Sequence, residues 1–461
     1  MTTLQKKETA VNAIVEGVIW KQLLIFFFPI LLGTFFQQLY NTVDTIIVGK
    51  FVGKEALAAV GSSAASLINL ITGFFIGLSS GATVIISQYF GAKNARDVNR
   101  TVHTSMAIAV VFGLIIMVLG IALSPWLLRI LDTPEDIIPP SLEYIHIFFA
   151  GMIPSLVYNI GSGILRAIGD SKRPLYFLII ACLINAALDI VFVAVLGMGV
   201  AGAALATVIA QTICAILVIL VLMRSQESYH LQLKKIRFHG DLMKPILRIG
   251  LPAGIQATMF NFSNLLIQGN INSFGTNTVA GWSAWMKLEG IVWMFISSFG
   301  IAITTFVGQN FGAQKYDRMR KSVFQCWLMA TGAVLASCGV MMAFGEKLYH
   351  LFISDPLVIA DAVKIMKFML CFYFLFVCIE VFSGALRGAG DSLIPTLMML
   401  FGVCVLRLIW LWGVLPNLEH NFIYTILCYP ITWTITAAMF LIYYFKGNWL
   451  KRCKKKAGFP E

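Results

Sequence analysis

The chain has 461 residues, of which 59% are hydrophobic and 12% are charged, whereas soluble domains average roughly 45 to 50% apolar and about 25% charged residues. This composition excludes a soluble globular domain, and the nine singly scattered cysteines exclude a disulfide-stapled scaffold. A multi-span membrane protein remains, and the formal net charge of +12 must then be explained by where the basic residues lie.

Twelve apolar segments are long enough to cross a bilayer as helices, since a helical span needs about 20 mostly apolar residues. In chain order they cover residues 20–48, 56–86, 101–125, 142–162, 174–196, 200–224, 245–272, 279–307, 322–345, 362–384, 395–415 and 421–446. The residues up to Gly17 are too polar for a signal-peptide core, so the first span is expected to stay in the mature protein. We therefore predict an all-α polytopic membrane protein with twelve transmembrane helices.

The basic residues set the orientation of these spans, because cytoplasmic loops are enriched in lysine and arginine. With both termini inside, the inner segments hold 26 of the 34 basic residues, the outer segments hold 6, and Lys287 and Arg407 lie within spans. We expect a multi-pass protein of the plasma (inner) membrane with both termini in the cytoplasm. Because the positive charge is a topology signal, no nucleic-acid partner is expected.

Two motifs recur 221 residues apart, which indicates an internal duplication. QYFGA at 88–92 returns as QNFGA at 309–313, and GxLRxxGDSxxP at 163–174 returns at 384–395. Each half has six spans, so the halves share one orientation and form a pseudo-twofold repeat about an axis along the membrane normal. The predicted units are an N-terminal six-helix lobe at 1–223, a cytoplasmic linker at 224–244, a C-terminal six-helix lobe at 245–446 and a basic cytoplasmic tail at 447–461. Such lobes suit alternating access, although tight turns between helices explain the repeated motifs equally well.

These residues give the chain a resemblance to the multidrug and toxic compound extrusion (MATE) family. It is carried by NTVDTIIVG at 41–49, by the two QxFGA segments and by the doubled GxLRxxGDSxxP motif. The resemblance implies two six-helix lobes in a V that export organic cations or other amphipathic compounds, driven by inward flow of sodium ions or protons. Flippases for lipid-linked sugars share the wider superfamily, but the aspartate motif of the first span favours the drug exporters.

Four carboxylates lie within predicted spans, Asp44, Asp189, Glu289 and Glu380. Each is a functional hypothesis, because an acid in a span costs at least about 2.5 kcal/mol on insertion scales. At about 1.5 Å of rise per residue, Asp44 and Asp189 both fall in the outer half of the first lobe, and Asn185 shares a helix face with Asp189. Their oxygens suit a small hard cation; alternatively, one of the two carboxylates carries a proton.

The resemblance assigns further residues to this ion-coupling site. In the DinF-like branch of the family, the site uses an Asp on helix 1, an Asn and an Asp four apart on helix 5, a Thr on helix 6 and a nearby Tyr on helix 4. Those roles fall on Asp44, Asn185, Asp189, Thr207 and Tyr144. If sodium is the coupling ion, the implied ligands are Asp44, Asn185, Asp189 and Thr207. The alternative for all five is hydrogen-bonded packing within the lobe.

The second lobe departs from a pattern of NorM-like members, which carry an acid on helix 7. Residues 245–271 contain no acid, so the sequence leaves open whether the second lobe has a cation site of its own. Glu380 lies near the inner end of its span and aligns with Asn159 of the first half. We assign Glu380 and Asn159 to the inner mouth or to packing.

The eighth span carries a stripe of aromatic residues with one carboxylate. Its members recur at i, i+3, i+4, i+7 and i+11 and are Trp282, Trp285, Met286, Glu289 and Trp293. Such a face suits a lipophilic cation through cation–π contact and charge pairing, which predicts a substrate cavity. Helix packing is the alternative for the tryptophans.

The chain has no GxxxxGK[ST] segment for ATP and no HExxH metal motif, so we predict a transporter and not an enzyme. The predicted function is a secondary antiporter that exports organic cations, drugs or other amphipathic compounds by rocking its lobes. No cofactor is expected beyond the coupling ion, sodium or proton, and the expected state is a monomer in contact with membrane lipids. A lipid-linked precursor flippase is the alternative within the superfamily, and a gated channel or receptor-like protein is the alternative from another class. A flippase should have a cationic central cavity, for which Lys287 and Arg407 are the two span-located bases.

Overall fold

The computed structural model describes residues 12–53, 56, 60, 63–130, 133–350, 353 and 355–459. All regular elements of those residues are helices, which confirms the predicted fold class. Part of the second predicted span (57–59, 61 and 62) lies outside the described residues, as do Lys6, Lys7 and Lys54 of the charge count.

The long helices of the described chain coincide with the twelve predicted spans, and most extend beyond them at one or both ends. They are α1 (Ile19–Phe51), α2 (Ser63–Gly91), α3 (Ala95–Ile130), α4 (Ile138–Ala150 and Met152–Ala167), α5 (Lys172–Val195), α6 (Gly199–Arg224), α7 (Gly240–Ile271), α8 (Thr276–Gly312), α9 (Tyr316–Tyr349), α10 (Pro356–Leu370 and Tyr373–Gly388), α11 (Leu393–Asn417) and α12 (Phe422–Ile426 and Cys428–Lys446). A shorter helix, α13 (Trp449–Ala457), lies in the basic tail.

Most of these helices have the length and composition of membrane spans. Nine qualify singly among the described residues, and α4 and α10 qualify as pairs bent by 50° and 51°. The remaining helix, α7, has 32 residues but carries Gln256, Asn261, Asn264 and Gln268 along its length. The chain is therefore a multi-pass membrane protein, in which the seventh helix is long enough to span the membrane but lacks a sufficiently apolar stretch.

The helices pack around two hydrophobic cores, one in each half of the chain. In both halves, the start of the first helix packs in the core of the opposite half. Phe26 and Phe27 of α1 belong to the second core, where the ring of Phe27 stacks on that of Phe299 with 3.9 Å between centroids. Ile246 and Ile249 of α7 belong to the first core. Helix α1 itself enters the first core at Ile47 and Val48, so it spans both cores.

The two GxLRxxGDSxxP copies fold as the same turn between helices. Gly169 and Gly390 have φ angles of 96° and 94°, in the left-handed region that glycine adopts without strain. In both turns, the amide of the following aspartate donates a 2.9 Å hydrogen bond to a leucine carbonyl, from Asp170 and from Asp391. This backbone conformation explains why the glycine recurs in both halves.

The QxFGA copies join the two halves through a reciprocal pair of hydrogen bonds. Gln88 Nε2 donates to the carbonyl of Gly388 at 2.9 Å, and Gln309 Nε2 donates to the carbonyl of Ala167 at 2.7 Å. Since 221 residues separate both the donors and the acceptors, the two bonds are equivalent under the repeat. Each glutamine therefore donates a hydrogen bond to the turn of the opposite half.

The glycines of the same motif allow the two backbones to touch. A Cβ atom on Gly91 would lie 2.0 Å from the carbonyl oxygen of Gln309, and one on Gly312 would lie 1.9 Å from that of Gln88. No side chain fits at either distance. We call this contact the closed end of the molecule.

Candidate functional site

A buried polar cluster lies in the first half, where α1, α4, α5 and α6 meet. The five residues that the resemblance assigned to an ion-coupling site are Asp44, Tyr144, Asn185, Asp189 and Thr207, and none of them is more than 7% exposed. Tyr144 interacts electrostatically with both aspartates. The structure thus places together residues that lie up to 163 positions apart in the sequence; their role in coupling stays a prediction.

The two carboxylates of the cluster face each other across the α1–α5 contact. Asp44 and Asp189 lie within interaction range of one another, and the four ion pairs of the described residues all involve other acids. Two like charges in one buried site repel and lack the compensation that buried charges need. A cation or a proton at this point would remove the imbalance.

Hydrogen bonding within the cluster is incomplete. Seven buried polar atoms have no hydrogen-bond partner in the described structure, six in the cluster and one in Tyr40, which lies beside it on α1. They are Asp44 Oδ1, Asn185 Oδ1 and Nδ2, Asp189 Oδ1 and Oδ2, Thr207 Oγ1 and Tyr40 Oη. Each such atom costs about 1 to 3 kcal/mol when it stays unsatisfied. Six of the seven are oxygens, the atom type that sodium ions prefer as ligands. The cluster therefore suits a small hard cation, or a proton shared between the carboxylates.

The local structure of α5 changes directly after the cluster. Asp189 ends the α-helical part, and Ile190–Val195 continues as a π-helix. A π-helical turn inserts one residue into the hydrogen-bond ladder and is frequent at functional sites. Asn185 and Asp189 therefore stay on one face of regular α-helix, while the outer end of α5 follows a different register.

Sequence reasoning missed Tyr40. Its hydroxyl lies close to the hydroxyl of Thr207 and within electrostatic range of Asp44 and Asp189. The two hydroxyls do not meet the geometry of a hydrogen bond. Tyr40 precedes Asp44 by four residues, and the same spacing relates Asn185 to Asp189. A search for polar residues one turn away from each intramembrane acid could have found it.

Glu289 of the second half has partners within its own core. The hydroxyl of Tyr373 donates a short hydrogen bond to its Oε1 atom, and Trp293 Nε1 donates to the same oxygen at 3.1 Å. Both donors are uncharged. The carboxylate is therefore oriented by α8 and α10 before any ligand arrives.

The predicted stripe on α8 is divided by burial. Trp282 and Trp285 are buried in the second core, Glu289 and Trp293 are half-buried, and Met286 is 48% exposed. The first two tryptophans pack as core residues in this conformation. A substrate contact at the other three members stays a prediction.

The two bases within predicted spans have different surroundings. Lys287 is exposed, whereas Arg407 of α11 is 1% exposed. Arg407 Nη1 donates to Asn264 Oδ1 at 2.9 Å and to Ser263 Oγ at 3.3 Å, and its Nε and Nη2 atoms have no hydrogen-bond partner in the described structure. The guanidinium carbon lies 4.4 Å from the ring centroid of Tyr429, a cation–π distance.

Asn159 and Glu380 make the contacts of packing residues. Asn159 Nδ2 donates to the carbonyl of Ser155 in its own helix at 2.9 Å. Glu380 packs against Gly300 of α8: a Cβ atom added to Gly300 would lie 2.5 Å from Oε1 of Glu380. These contacts suit the structural alternative for both residues, and their assignment to an inner mouth stays a prediction.

Comparison with known proteins gives similarity through both halves. The pattern of the MatE family matches residues 29–191 and 252–412. Two curated relatives from Bacillus subtilis (strain 168) are "Probable multidrug resistance protein YoeA", 31% identical over 86% of this chain and 85% of the relative, and "Probable multidrug resistance protein YpnP", 29% identical over 85% and 87%. A solved structure described as the outward-facing conformation of a multidrug resistance MATE family transporter superimposes with a TM-score of 0.89, covering 97% of this chain and 100% of that chain at 22% identity. The last comparison shows a shared fold.

Proposed function

This chain belongs to the MatE family of membrane transporters, which are not enzymes, and on that basis we propose that it is a secondary antiporter. It exports drugs or other amphipathic compounds in exchange for sodium ions or protons. The observation that carries the proposal is the polar cluster, in which Asp44 and Asp189 are buried together without a basic partner among the described residues. We place the protein in the plasma membrane as a monomer in contact with lipids, with both termini in the cytoplasm, as the 26 to 6 distribution of basic residues predicts.

The cluster can exchange a coupling ion in two ways. A sodium ion would take oxygen ligands from Asp44, Asn185, Asp189 and Thr207, in keeping with the preference of hard cations for oxygen. A proton would instead neutralise one carboxylate of the facing pair. In both cases an ion that enters the cluster lowers its negative charge and supplies partners for oxygens that lack them.

Helix α1 offers a route from the cluster to the second half. Asp44 lies in the cluster, whereas Phe26 and Phe27 of the same helix pack in the second core, and Pro29 interrupts the backbone ladder between them. An ion that changes the position of Asp44 therefore acts on packing between the halves. An ion shifts a conformational equilibrium only if it binds the two states with different affinity.

The closed end sets the condition for alternating access. If this end faces the cytoplasm, the reciprocal bonds of Gln88 and Gln309 close the inner side in the described conformation. Opening toward the inside then requires these bonds to break and the Gly91–Gly312 contact to separate. Rocking of the two halves about α1 and α7 would accomplish this, as in transporters built from repeats.

Dye efflux from inverted membrane vesicles, under separate sodium and proton gradients, tests the proposal. We expect one gradient to drive dye accumulation and the Asp189→Asn variant to lose that dependence. Transport that ignores both gradients would refute ion coupling. Currents far above carrier turnover would favour the gated channel. Movement of a lipid-linked precursor without dye transport would favour the flippase, although burial of Arg407 leaves exposed Lys287 as the remaining span base for an anionic cargo.

A further inference from the structure

The repeat relates the polar cluster to a second buried group that the proposed function leaves unexplained. Adding 221 to Asp189 gives Trp410 of α11, and Arg407 lies three residues before it, on the same helix face. Helix α11 contains two π-helical segments, Leu400–Val405 and Trp410–Val414, and the second overlaps the positions that correspond to the π-helix Ile190–Val195 of α5. Arg407 therefore lies in the second half within one turn of the place that Asp189 takes in the first.

The neighbours of Arg407 come from the helices that correspond to those of the polar cluster. Asn264, which accepts from its guanidinium, lies within one helical turn of position 265, where an offset of 221 puts the counterpart of Asp44. Tyr429, whose ring faces the guanidinium, lies one residue from position 428, the counterpart of Thr207. Helices α7, α11 and α12 thus surround Arg407, just as the corresponding helices α1, α5 and α6 contribute to the polar cluster, with a cation in one half and carboxylates in the other.

Arg407 needs a counterion, because an arginine side chain stays charged in proteins and a buried charge without compensation is costly. Its hydrogen-bond acceptors, Asn264 and Ser263, are neutral. The guanidinium carbon lies 5.7 Å from the ring centroid of Phe260, and that ring packs edge-on against Trp293 with 5.6 Å between centroids. Trp293 in turn donates to Glu289, so the carboxylate lies on the other side of one aromatic cluster, within range of a Coulomb interaction with Arg407. No ion pair closer than 4.0 Å joins Arg407 to an acid in the described structure, so the guanidinium and the carboxylate balance each other across the aromatic cluster.

We propose that Arg407 is a fixed internal cation, which occupies in the second half the place that an exchangeable sodium ion or proton takes in the polar cluster. Glu289 is its permanent counterion, and the protein therefore exchanges ions through the first half alone. The proposal rests on the proposed function for its interpretation of the polar cluster. Without the guanidinium, the second half would hold a carboxylate with amide and hydroxyl oxygens nearby, and this arrangement would be a site for a small cation.

The decisive experiment measures binding of ²²Na⁺, and proton uptake in parallel, on purified full-length protein in which Asp44→Asn and Asp189→Asn disable the first site. Adding Arg407→Gln should restore one cation-binding event per chain, with at least a tenfold gain in affinity over that background. Adding Glu289→Gln should abolish the gain. The matched variant Arg407→Lys keeps the charge and should restore no binding. Absence of a gain with Arg407→Gln, or an equal gain with Arg407→Lys, overturns the proposal.

A second measurement decides the matter if Arg407→Gln folds poorly. When two charges balance each other, removing both costs less than the sum of the single losses. The double variant Arg407→Gln/Glu289→Gln should therefore lower the melting temperature by less than the sum of the two single decreases. Additive losses would overturn the proposal. Failure of the proposed function gives a different result, because the wild type would then bind no coupling ion while the Arg407 variants still report on the second half.

Discussion

Replacing Asp189 with asparagine should abolish ion-coupled efflux while leaving the protein folded. Asparagine has nearly the same size, so α5 keeps its packing, but the cluster loses one of its two buried carboxylates. A unit charge about 4 Å from a cation contributes about 4 kcal/mol at an effective dielectric constant of 20. Moving a two-state equilibrium from 1:99 to 99:1 requires about 5.5 kcal/mol of differential binding. Loss of one carboxylate therefore removes most of the free energy that an ion can use to shift the halves.

The assay is gradient-driven dye efflux, with expression level and direct drug binding measured on the same preparations. We expect Asp189→Asn and Asp44→Asn to express normally, to lose efflux of every substrate and to keep measurable drug binding. The matched control is Glu380→Gln, which removes an intramembrane acid that packs against Gly300 and should retain much of the transport. Wild-type efflux in both aspartate variants would refute the site assignment, and loss of expression would favour the packing alternative.

Three further predictions test other parts of the molecule. Reporter fusions after Lys446 should report the cytoplasm and fusions within residues 134–140 the outside, and a cytoplasmic signal from the latter would contradict the topology. If the exposed part of the α8 stripe binds substrates, Glu289→Gln should reduce the transport of cationic substrates more than that of neutral ones. Equal losses for both classes in a transport assay would show that Glu289 acts through its pairing with Arg407 and through packing. Gly91→Ala should lower the melting temperature by the equivalent of about 1 to 3 kcal/mol, because its Cβ would lie 2.0 Å from a backbone oxygen. The control Gly269→Ala, whose Cβ would have nothing within 4 Å, should leave the melting temperature unchanged. Equal melting temperatures for the two variants would show that the backbones at the closed end can move apart without a loss of stability.

The helical membrane fold and the repeat could be predicted because both are written in local patterns. Apolar length gives the spans, and the 221-residue offset aligns motifs whose turns prove to be the same in the structure. The polar α7 was also predicted, although its composition differs from the other helices. Its close packing against α2, where Gly250 and Gly254 meet backbone oxygens, accommodates a helix with fewer lipid-facing apolar residues.

The composition of the candidate site was only partly predictable, because the pattern of one sequence segment does not indicate which residues of other helices it contacts. Position within the spans indicated Asp44, Asp189 and Asn185, and the resemblance completed the set with Thr207 and Tyr144. The structure places these five residues together, but Tyr40 became visible only from its approach to Thr207. The link between Glu289 and Arg407 joins α8 to α11. Helical periodicity relates residues on one helix and says nothing about such a pair.

The reciprocal bonds at the closed end have a consequence for how the two halves can evolve. Because Gln88 binds the turn that ends α10 and Gln309 binds the turn that ends α4, the interface is isologous in form, like that of a twofold symmetric homodimer. Two copies of a half-length chain would make these contacts without any change in sequence. In a single chain the two copies need not be identical, but each glutamine still depends on the turn of the other half. A change at the closed end therefore has to be matched in the other half, whereas the polar cluster and the surroundings of Arg407 can carry opposite charges because they lie in different halves.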